Sequence, residues 1–211
     1  MTISEEILIL LPVLLLSISI HEAMHALASL KLGDDTAAEG GRISLNPLTH
    51  IDPVLTVLLP LVTLITTGQI FAIAKPVRVD FSRLKYDEFG GAIVGIVGPL
   101  SNLLIALAAA SLFHLFNPTT GSILANILGI TVELNVVLFV INLIPWPPLD
   151  GSRVLYAFAP RALQEVMIAI EGSGVLILVV FLLLFYSSLG AYVWNIISQI
   201  ITILGVPLPV V

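Results

Sequence analysis

Residues 7–30 read ILILLPVLLLSISIHEAMHALASL, an apolar run whose ionisable side chains are two histidines and one glutamate. The helix that this run predicts, over 5–31, is about 40 Å long at 1.5 Å per residue, which is enough to cross a bilayer. Ionisable side chains are costly at membrane depth and are functional candidates by default. The stretch therefore predicts a membrane-spanning helix that carries a polar functional site.

The three ionisable side chains form an H-E-x-x-H motif: His21, Glu22 and His25. Two histidines four residues apart project from the same face of a helix, so both imidazoles can bind one zinc ion. The glutamate beside them can accept a proton from a water molecule at the metal. The same spacing also occurs on solvated faces of soluble helices, but an apolar helix offers these side chains no solvent. We interpret the motif as a zinc site with Glu22 as the base.

The composition of the whole chain is that of an integral membrane protein. It has 211 residues, of which 58% are hydrophobic and 10% charged, and its mean hydropathy is +1.10. The length allows about five or six spans and no separate soluble domain, and we expect no nucleic-acid partner. The absence of cysteine excludes disulfides and a thiolate zinc site. The first residues lack the basic start of a signal peptide, so we expect the first helix to be retained.

The basic residues predict the orientation in the membrane. All eight lie in two stretches, one before residue 86 and one after residue 150: Lys31, Arg42, Lys75, Arg78, Arg83, Lys85, Arg153 and Arg161. By the positive-inside rule both stretches face the cytoplasm, which leaves the N-terminus outside. The helices predicted over 5–31 and 122–143 then both run inward. We expect a multi-pass protein of the cell membrane whose zinc site lies toward the cytoplasmic side.

The remaining pattern predicts an all-α polytopic membrane protein of about five or six transmembrane helices. The segment 54–67 is apolar but short and contains Pro60, so we expect it to re-enter the membrane without crossing it. Alternation at 42–45 and 77–81 predicts short β-strands at the cytoplasmic side of the active site. Apolar runs predict the further helices over 87–116, 122–143, 163–186 and 191–204.

A catalytic zinc usually takes three protein ligands, so the two histidines need a third. The candidates are His50, Asp52, Glu133 and Asp150. Asp150 is favoured, because the predicted orientation brings it level with the histidines on a proline-stiffened segment. Glu133 lies too far along its helix from the cytoplasmic end. His50 and Asp52 lie in a proline-bounded loop, where they suit a turn or border the cleft.

Four segments together resemble the site-2 proteases, a family of intramembrane zinc metalloproteases. The segments are HEAMH at 21–25, NPLTHIDP at 46–53, GPLSN at 98–102 and NLIPWPPLDG at 142–151. They occur in the family's order and span most of the chain up to Gly151. The chain resembles the compact members of this family, which lack PDZ and CBS domains.

The resemblance implies a site as well as a fold. It implies that His21, His25 and Asp150 bind one zinc ion per chain and that Glu22 is the catalytic base. It also implies that Asn142 lines the site, where its amide would help to stabilise the oxyanion. The expected organisation is a single transmembrane protease domain over 1–211, with the zinc site in a core at 5–158 and additional transmembrane helices in 163–211.

The predicted function is an intramembrane endopeptidase that cleaves the transmembrane segment of a membrane-anchored regulatory protein. Its partners are then a transmembrane substrate and the lipid bilayer, and the sequence leaves the oligomeric state open. One alternative is a metal transporter, although transporters commonly carry an inverted repeat that is not visible here. Another is a catalytically inactive scaffold that binds transmembrane helices, although the His, Glu and Asp set is intact.

Overall fold

The computed structural model describes residues 3–49, 77–172 and 189–207. Within them the chain forms seven α-helices, together with 3-10 helices at Pro47–Thr49 and Phe81–Arg83. Numbered in chain order, the α-helices are α1 (Ile3–Leu32), α2 (Thr36–Glu39), α3 (Asp87–Phe116), α4 (Ile123–Asn142), α5 (Gly151–Phe158), α6 (Arg161–Glu171) and α7 (Gly190–Leu204).

Three of these helices, α1, α3 and α4, are long and apolar enough to cross a membrane, whereas α7 is shorter. All four agree with helices that the sequence predicts, and the chain is a membrane protein. The predicted count of five or six spans is not confirmed. The re-entrant segment predicted at 54–67 lies outside the described residues, as does most of the helix predicted at 163–186. The first part of that predicted helix, 163–171, forms most of α6.

The described residues contain no β-strand, so the strands predicted at 42–45 and 77–81 are not found there. Residues 42–45 are irregular, beginning where the Arg42 N–H donates to the carbonyl of Ala37 in α2. Phe81 begins a 3-10 helix, because the preceding Asp80 accepts hydrogen bonds from the backbone N–H and the hydroxyl of Ser82. Such side-chain bonds to nearby groups compete with a strand ladder, and alternation of apolar residues does not reveal them.

The helix α3 is the centre of the structure and packs against α1, α4 and α5. It forms a hairpin with α4, so these two helices are antiparallel. It is antiparallel to α1 as well, because His21 contacts Asn102 whereas His25, one turn later in α1, contacts Val94. The helices α1 and α4 therefore run in the same direction, and both end near the N-terminal half of α3.

An apolar core joins the C-terminal half of α3 to α4 and α7. The α3 side of this core is mainly alanine, which lets the neighbouring helices approach closely. Its buried residues are Ala106, Ala109, Ala110, Phe113, Ala125, Leu128, Val132, Val136, Val193, Ile197, Ile201 and Val206. Since this core occupies the C-terminal half of α3, the N-terminal half is left to face the polar residues of α1.

After α4 ends, the segment 143–150 turns the chain back beside α3. Gly151 begins α5 so close to the turn that a Cβ there would overlap the carbonyl oxygen of Leu143. Gly95 of α3 lies against the start of α5, where an added Cβ would be 2.9 Å from the carbonyl oxygen of Asp150. The contact of α3 with α5 therefore depends on a residue without a side chain, and it determines where Asp150 lies.

We expect Gly95→Ala to destabilise the protein. Its methyl group would lie 2.9 Å from both the Asp150 carbonyl oxygen and the Arg153 Cβ, so the start of α5 must move. Overpacking of this kind costs about 1–3 kcal/mol. The measurement is the thermal unfolding midpoint in detergent. The matched control is Gly172→Ala, whose Cβ has no neighbour closer than 3.5 Å. Equal midpoints for the two variants would contradict the tight contact.

Candidate metal centre and adjoining cleft

Three side chains from two distant parts of the chain converge at one buried point. The Nε2 atoms of His21 and His25 lie 3.0 Å apart. The Oδ2 atom of Asp150 lies 3.0 Å from the first of these nitrogens and 3.3 Å from the second. Both histidines are buried within α1, and the aspartate lies at the N-terminal end of α5. The three sequence-predicted ligands are thus brought together by the packing of α1 and α5 around α3.

The outer nitrogens of the two imidazoles indicate which atoms face the centre. His25 Nδ1 lies 2.7 Å from the carbonyl oxygen of Val94, which can only accept a hydrogen bond, so Nδ1 carries the proton. His21 Nδ1 lies 2.6 Å from Asn102 Oδ1 and donates to it in the same way. Each neutral imidazole then presents the Nε2 lone pair to the centre. Metal-binding histidines commonly donate their other ring nitrogen to a carbonyl or amide oxygen.

The donor set suits a metal cation. Two lone pairs and a carboxylate oxygen face one another at about 3 Å, and Asp150 Oδ2 is buried and receives no hydrogen bond from the described residues. Unless a metal ion or a proton lies between them, these atoms repel one another in a medium of low dielectric constant. Two imidazoles and one carboxylate are a ligand set found in catalytic zinc sites.

The space in front of the imidazoles is kept open by Gly98 of α3. A Cβ at this position would overlap His25 Nε2 and lie 2.8 Å from His21 Nε2. The missing side chain thus leaves room at the point where both ring nitrogens aim. Any larger residue would fill the space that a bound ion needs.

Glu22 lies in a cleft beside this centre. The cleft has a volume of about 300 Å³ and is lined by Glu22, His25, Val77, Val79, Phe81, Gly91, Val94, Gly95, Pro148, Asp150 and Arg153. The N–H of Val77 donates a 3.1 Å hydrogen bond to Glu22 Oε2. Val77 and Val79 both line the cleft, as alternate residues of an extended segment do.

The segment that supplies Val77 is fastened to the C-terminal end of α1. Asp34 is fully buried there, and its Oδ2 accepts a 2.9 Å hydrogen bond from the Asp80 N–H. Its Oδ1 accepts from the N–H and the hydroxyl of Thr36. A further backbone bond of 2.8 Å runs from the Lys85 N–H to the Leu32 carbonyl. These bonds hold the segment over the metal cleft.

Charged groups add a second connection at the surface. The Arg83 guanidinium pairs with Asp35 at 2.9 Å and with Asp80 at 3.1 Å. The hydrogen bonds from Ser82, together with the nearby Arg83 charge, hold the pKa of the Asp80 carboxyl below its usual range. The carboxylate is therefore ionised at neutral pH and keeps the turn at Phe81–Arg83 closed.

A second cavity of about 440 Å³ adjoins the cleft and shares Phe81, Gly91 and Arg153 with it. The Arg153 guanidinium lies 4.3 Å from the centre of the Phe81 ring and pairs with Glu171 of α6 at 2.9 Å. Arginine over an aromatic face is a favourable contact. Phe81 and Arg153 line both cavities and therefore form the wall between them.

Two of the other sequence-predicted site residues, Asn142 and Glu133, are among the described residues. Asn142 is the last residue of α4, where its amide donates to the carbonyl of Leu138 at 3.0 Å. It is not among the described residues that line the cleft. The alternative ligand Glu133 is likewise absent from that lining, and His50 and Asp52 lie outside the described residues.

Sequence reasoning gave no role to Asn102, Asn135, Asp34 or Gly98. The first two were detectable, because an amide inside an apolar membrane helix is costly unless it has a partner. Gly98 belongs to the GPLSN segment of the family resemblance, but its role and that of Asp34 depend on neighbours that are distant in sequence.

No protein-family model and no solved structure matches the chain, but several known proteins are similar to it in sequence. A protein of Bacillus subtilis (strain 168) named "Putative zinc metalloprotease YwhC" is 37% identical over 187 residues, which cover 85% of this chain and 81% of the relative.

Two further relatives are mycobacterial and share the name "Putative zinc metalloprotease Rip2". The Mycolicibacterium smegmatis protein is 29% identical over 169 residues, covering 80% of this chain and 64% of the relative. The protein of Mycobacterium tuberculosis (strain ATCC 25618 / H37Rv) is 27% identical over 195 residues, covering 91% of this chain and 72% of the relative. Together with the grouped His, His and Asp side chains, these relatives show that the chain belongs to the site-2 protease family of zinc metalloproteases.

Proposed function

We propose that this zinc metalloprotease is an intramembrane endopeptidase that cleaves the transmembrane segment of membrane-anchored regulatory proteins. The observation that carries the proposal is the position of the donor set. His21 and His25 belong to a helix long enough to cross a membrane, and the cleft that His25 borders is also lined by α3, a second helix of that kind. A site built into such helices suits a substrate that is itself in the membrane.

Each side chain of the site has a proposed role. His21, His25 and Asp150 hold the zinc ion through the atoms that converge. When bound, zinc in such sites acidifies a water molecule and polarises the substrate carbonyl. Glu22 accepts the proton of the attacking water and returns it to the leaving amine. The Val77 N–H holds Glu22 Oε2, so the other carboxylate oxygen, Oε1, exchanges the proton.

The substrate has to leave the helical conformation before it is cleaved, because helical carbonyls are hydrogen-bonded and shielded. The segment containing Val77 and Val79 lines the cleft, and it offers a surface along which an unwound peptide can lie. Asn142 is proposed to contact the oxyanion with an amide hydrogen that its bond to Leu138 does not use. His50 and Asp52 are proposed to border the cleft.

The orientation and organisation follow from the charge distribution. We propose a multi-pass protein of the cell membrane, organised as a single protease domain over 1–211 with additional transmembrane helices after 163. Its N-terminus lies outside, and its zinc site lies toward the cytoplasmic side. The basic residues near the metal cleft, Arg83, Lys85 and Arg153, support this orientation because basic loops are retained on that side.

The first test of the mechanism is Glu22→Gln. We expect cleavage of a reporter with a transmembrane helix to fall by about 10²–10⁴-fold, the usual contribution of a general base, while the zinc content stays constant. The matched control, Glu39→Gln at the exposed last residue of α2, should cleave normally. A transporter or an inactive scaffold needs no proton acceptor, so an unchanged function of the Gln variant would refute the protease mechanism.

The second test concerns the ligands. Asp150→Ala removes one donor, and Gly98→Ala keeps all three donor residues but adds a methyl group that would overlap His25 Nε2. We expect both purified variants to lose zinc in elemental analysis, whereas Gly172→Ala should retain one ion per chain. Full zinc content in Asp150→Ala would remove this residue from the ligand set, and full content in Gly98→Ala would place the ion elsewhere.

The third test concerns orientation. The chain has no cysteine, so single substitutions can be labelled with an impermeant maleimide on intact cells. We expect Thr119→Cys, in the connection between α3 and α4, to label from outside and Lys85→Cys to label only after lysis. Labelling of both positions from the same side would contradict the proposed orientation.

A further inference from the structure

A line of buried amide and hydroxyl groups crosses three helices and ends at His21. Asn102 of α3 accepts from His21 Nδ1 at 2.6 Å and donates from its Nδ2 to Asn135 Oδ1 at 2.9 Å. Asn135 of α4 donates from its Nδ2 to Ser17 Oγ of α1 at 2.9 Å and to the carbonyl of Thr131 at 2.9 Å. The line thus starts and ends on α1, one turn apart.

These groups are shielded from solvent. Asn102 and Asn135 are 0% exposed and Ser17 is 2% exposed, and all three lie within helices long enough to cross a membrane. A buried amide costs free energy unless it is hydrogen-bonded, and lipid offers no replacement for a lost partner. Packing alone would be served better by leucine at both positions, so the pair of amides requires another explanation.

The Thr131 carbonyl orients the whole line. An isolated Asn amide can present either its oxygen or its nitrogen to a neighbour. The backbone carbonyl of Thr131 can only accept, so Asn135 must turn its Nδ2 toward it and its Oδ1 toward Asn102. Asn102 must then donate through Nδ2 and present Oδ1 to the ring of His21. That oxygen can only accept, so the proton of the imidazole lies on Nδ1.

We propose that Asn102 and Asn135 are positioning residues that hold His21 with its Nε2 lone pair directed at the metal centre. The proposal rests on the proposed role of His21 as a zinc ligand. His25 needs no such device, because the backbone carbonyl of Val94 meets its Nδ1 directly. The Asn102 side chain brings an acceptor from α3 to the imidazole of His21. The bond to Asn135 Oδ1 determines which end of the Asn102 amide faces that imidazole.

The test compares three substitutions in the full-length protein. Asn102→Leu has a similar volume but no acceptor for His21. Asn102→Asp keeps an oxygen facing His21 but loses the donor to Asn135 Oδ1, and Asn135→Leu leaves every contact of the imidazole in place. Thr131→Val is the matched control, because it keeps the backbone carbonyl and removes only a hydroxyl that bonds to Ile127. Zinc affinity is measured by competition with a chelator at fixed pH.

We expect Asn102→Leu to lower zinc affinity by about 10–100-fold, the usual effect of losing the hydrogen-bond partner of a ligand. Asn135→Leu should lower it by a smaller factor, while Asn102→Asp and Thr131→Val should stay within a few-fold of the natural protein. In zinc-loaded protein carrying ¹⁵N-labelled histidine, the Nδ1–H proton of His21 should be shifted downfield and slow to exchange. Asn102→Leu should lose this resonance, and Asn102→Asp should retain it.

A purely structural role for these amides gives a different pattern. Zinc affinity would fall in Asn102→Asp as much as in Asn102→Leu, although the Asp variant keeps an acceptor for His21 Nδ1. That result, or unchanged zinc affinity in a folded Asn102→Leu protein, would overturn the proposal. If Asn102→Leu does not fold, Asn135→Leu provides the same decision, and unchanged affinity in it would also overturn the proposal.

His21→Ala separates this proposal from the proposed function. If that variant retains full zinc affinity, His21 is not a ligand and the proposed site is wrong. If it loses zinc while both leucine variants bind normally, the ligand assignment stands and the positioning role fails.

Discussion

Two imidazole lone pairs and one carboxylate oxygen meet at about 3 Å inside a bundle of membrane helices, and the arrangement of the rest of the protein depends on that meeting. The three groups repel one another unless a cation lies between them, so binding energy from the zinc ion offsets their burial. Each group also has to be held in place by the fold, because the three side chains would otherwise move apart. The helix α1 contributes both histidines, and the turn after α4 returns the chain so that Asp150 faces them.

The central helix α3 makes this arrangement possible mainly by what it lacks. Gly95 allows α5 to approach until the Asp150 backbone lies against α3, and Gly98 leaves the space in front of the imidazoles open. The same half of the helix supplies the acceptors for both outer ring nitrogens, the Val94 carbonyl and the Asn102 amide oxygen. Its other half carries alanines that pack against α4 and α7. One helix thus combines a rigid apolar anchor with a polar surface that orients ligands.

The cleft beside the metal centre depends on hydrogen bonds of a different kind. Asp34 is fully buried at the end of α1 and fastens the extended segment that follows residue 76. Because that segment donates the Val77 N–H to Glu22, the position of the proposed base is coupled to the loop that borders the cleft. A base held by a backbone amide loses little conformational freedom when substrate arrives, which favours catalysis through orientation.

The sequence by itself determined the helices α1, α3 and α4, which are long and apolar enough to cross a membrane, and the pairing of His21 with His25. Apolar length and the i, i+4 spacing are local properties of a helix. It also indicated Asp150, through the charge distribution and the family resemblance. Alternation at 77–81 predicted a strand incorrectly, because it does not register the hydrogen bonds that Asp80 makes to Ser82. Only the tertiary structure decided which nitrogens face the metal, why Gly98 has no side chain, and how Asn102 and Asn135 connect to His21. Those features depend on contacts between residues 33 to 81 positions apart, and helix packing creates such contacts without a local signal in the sequence.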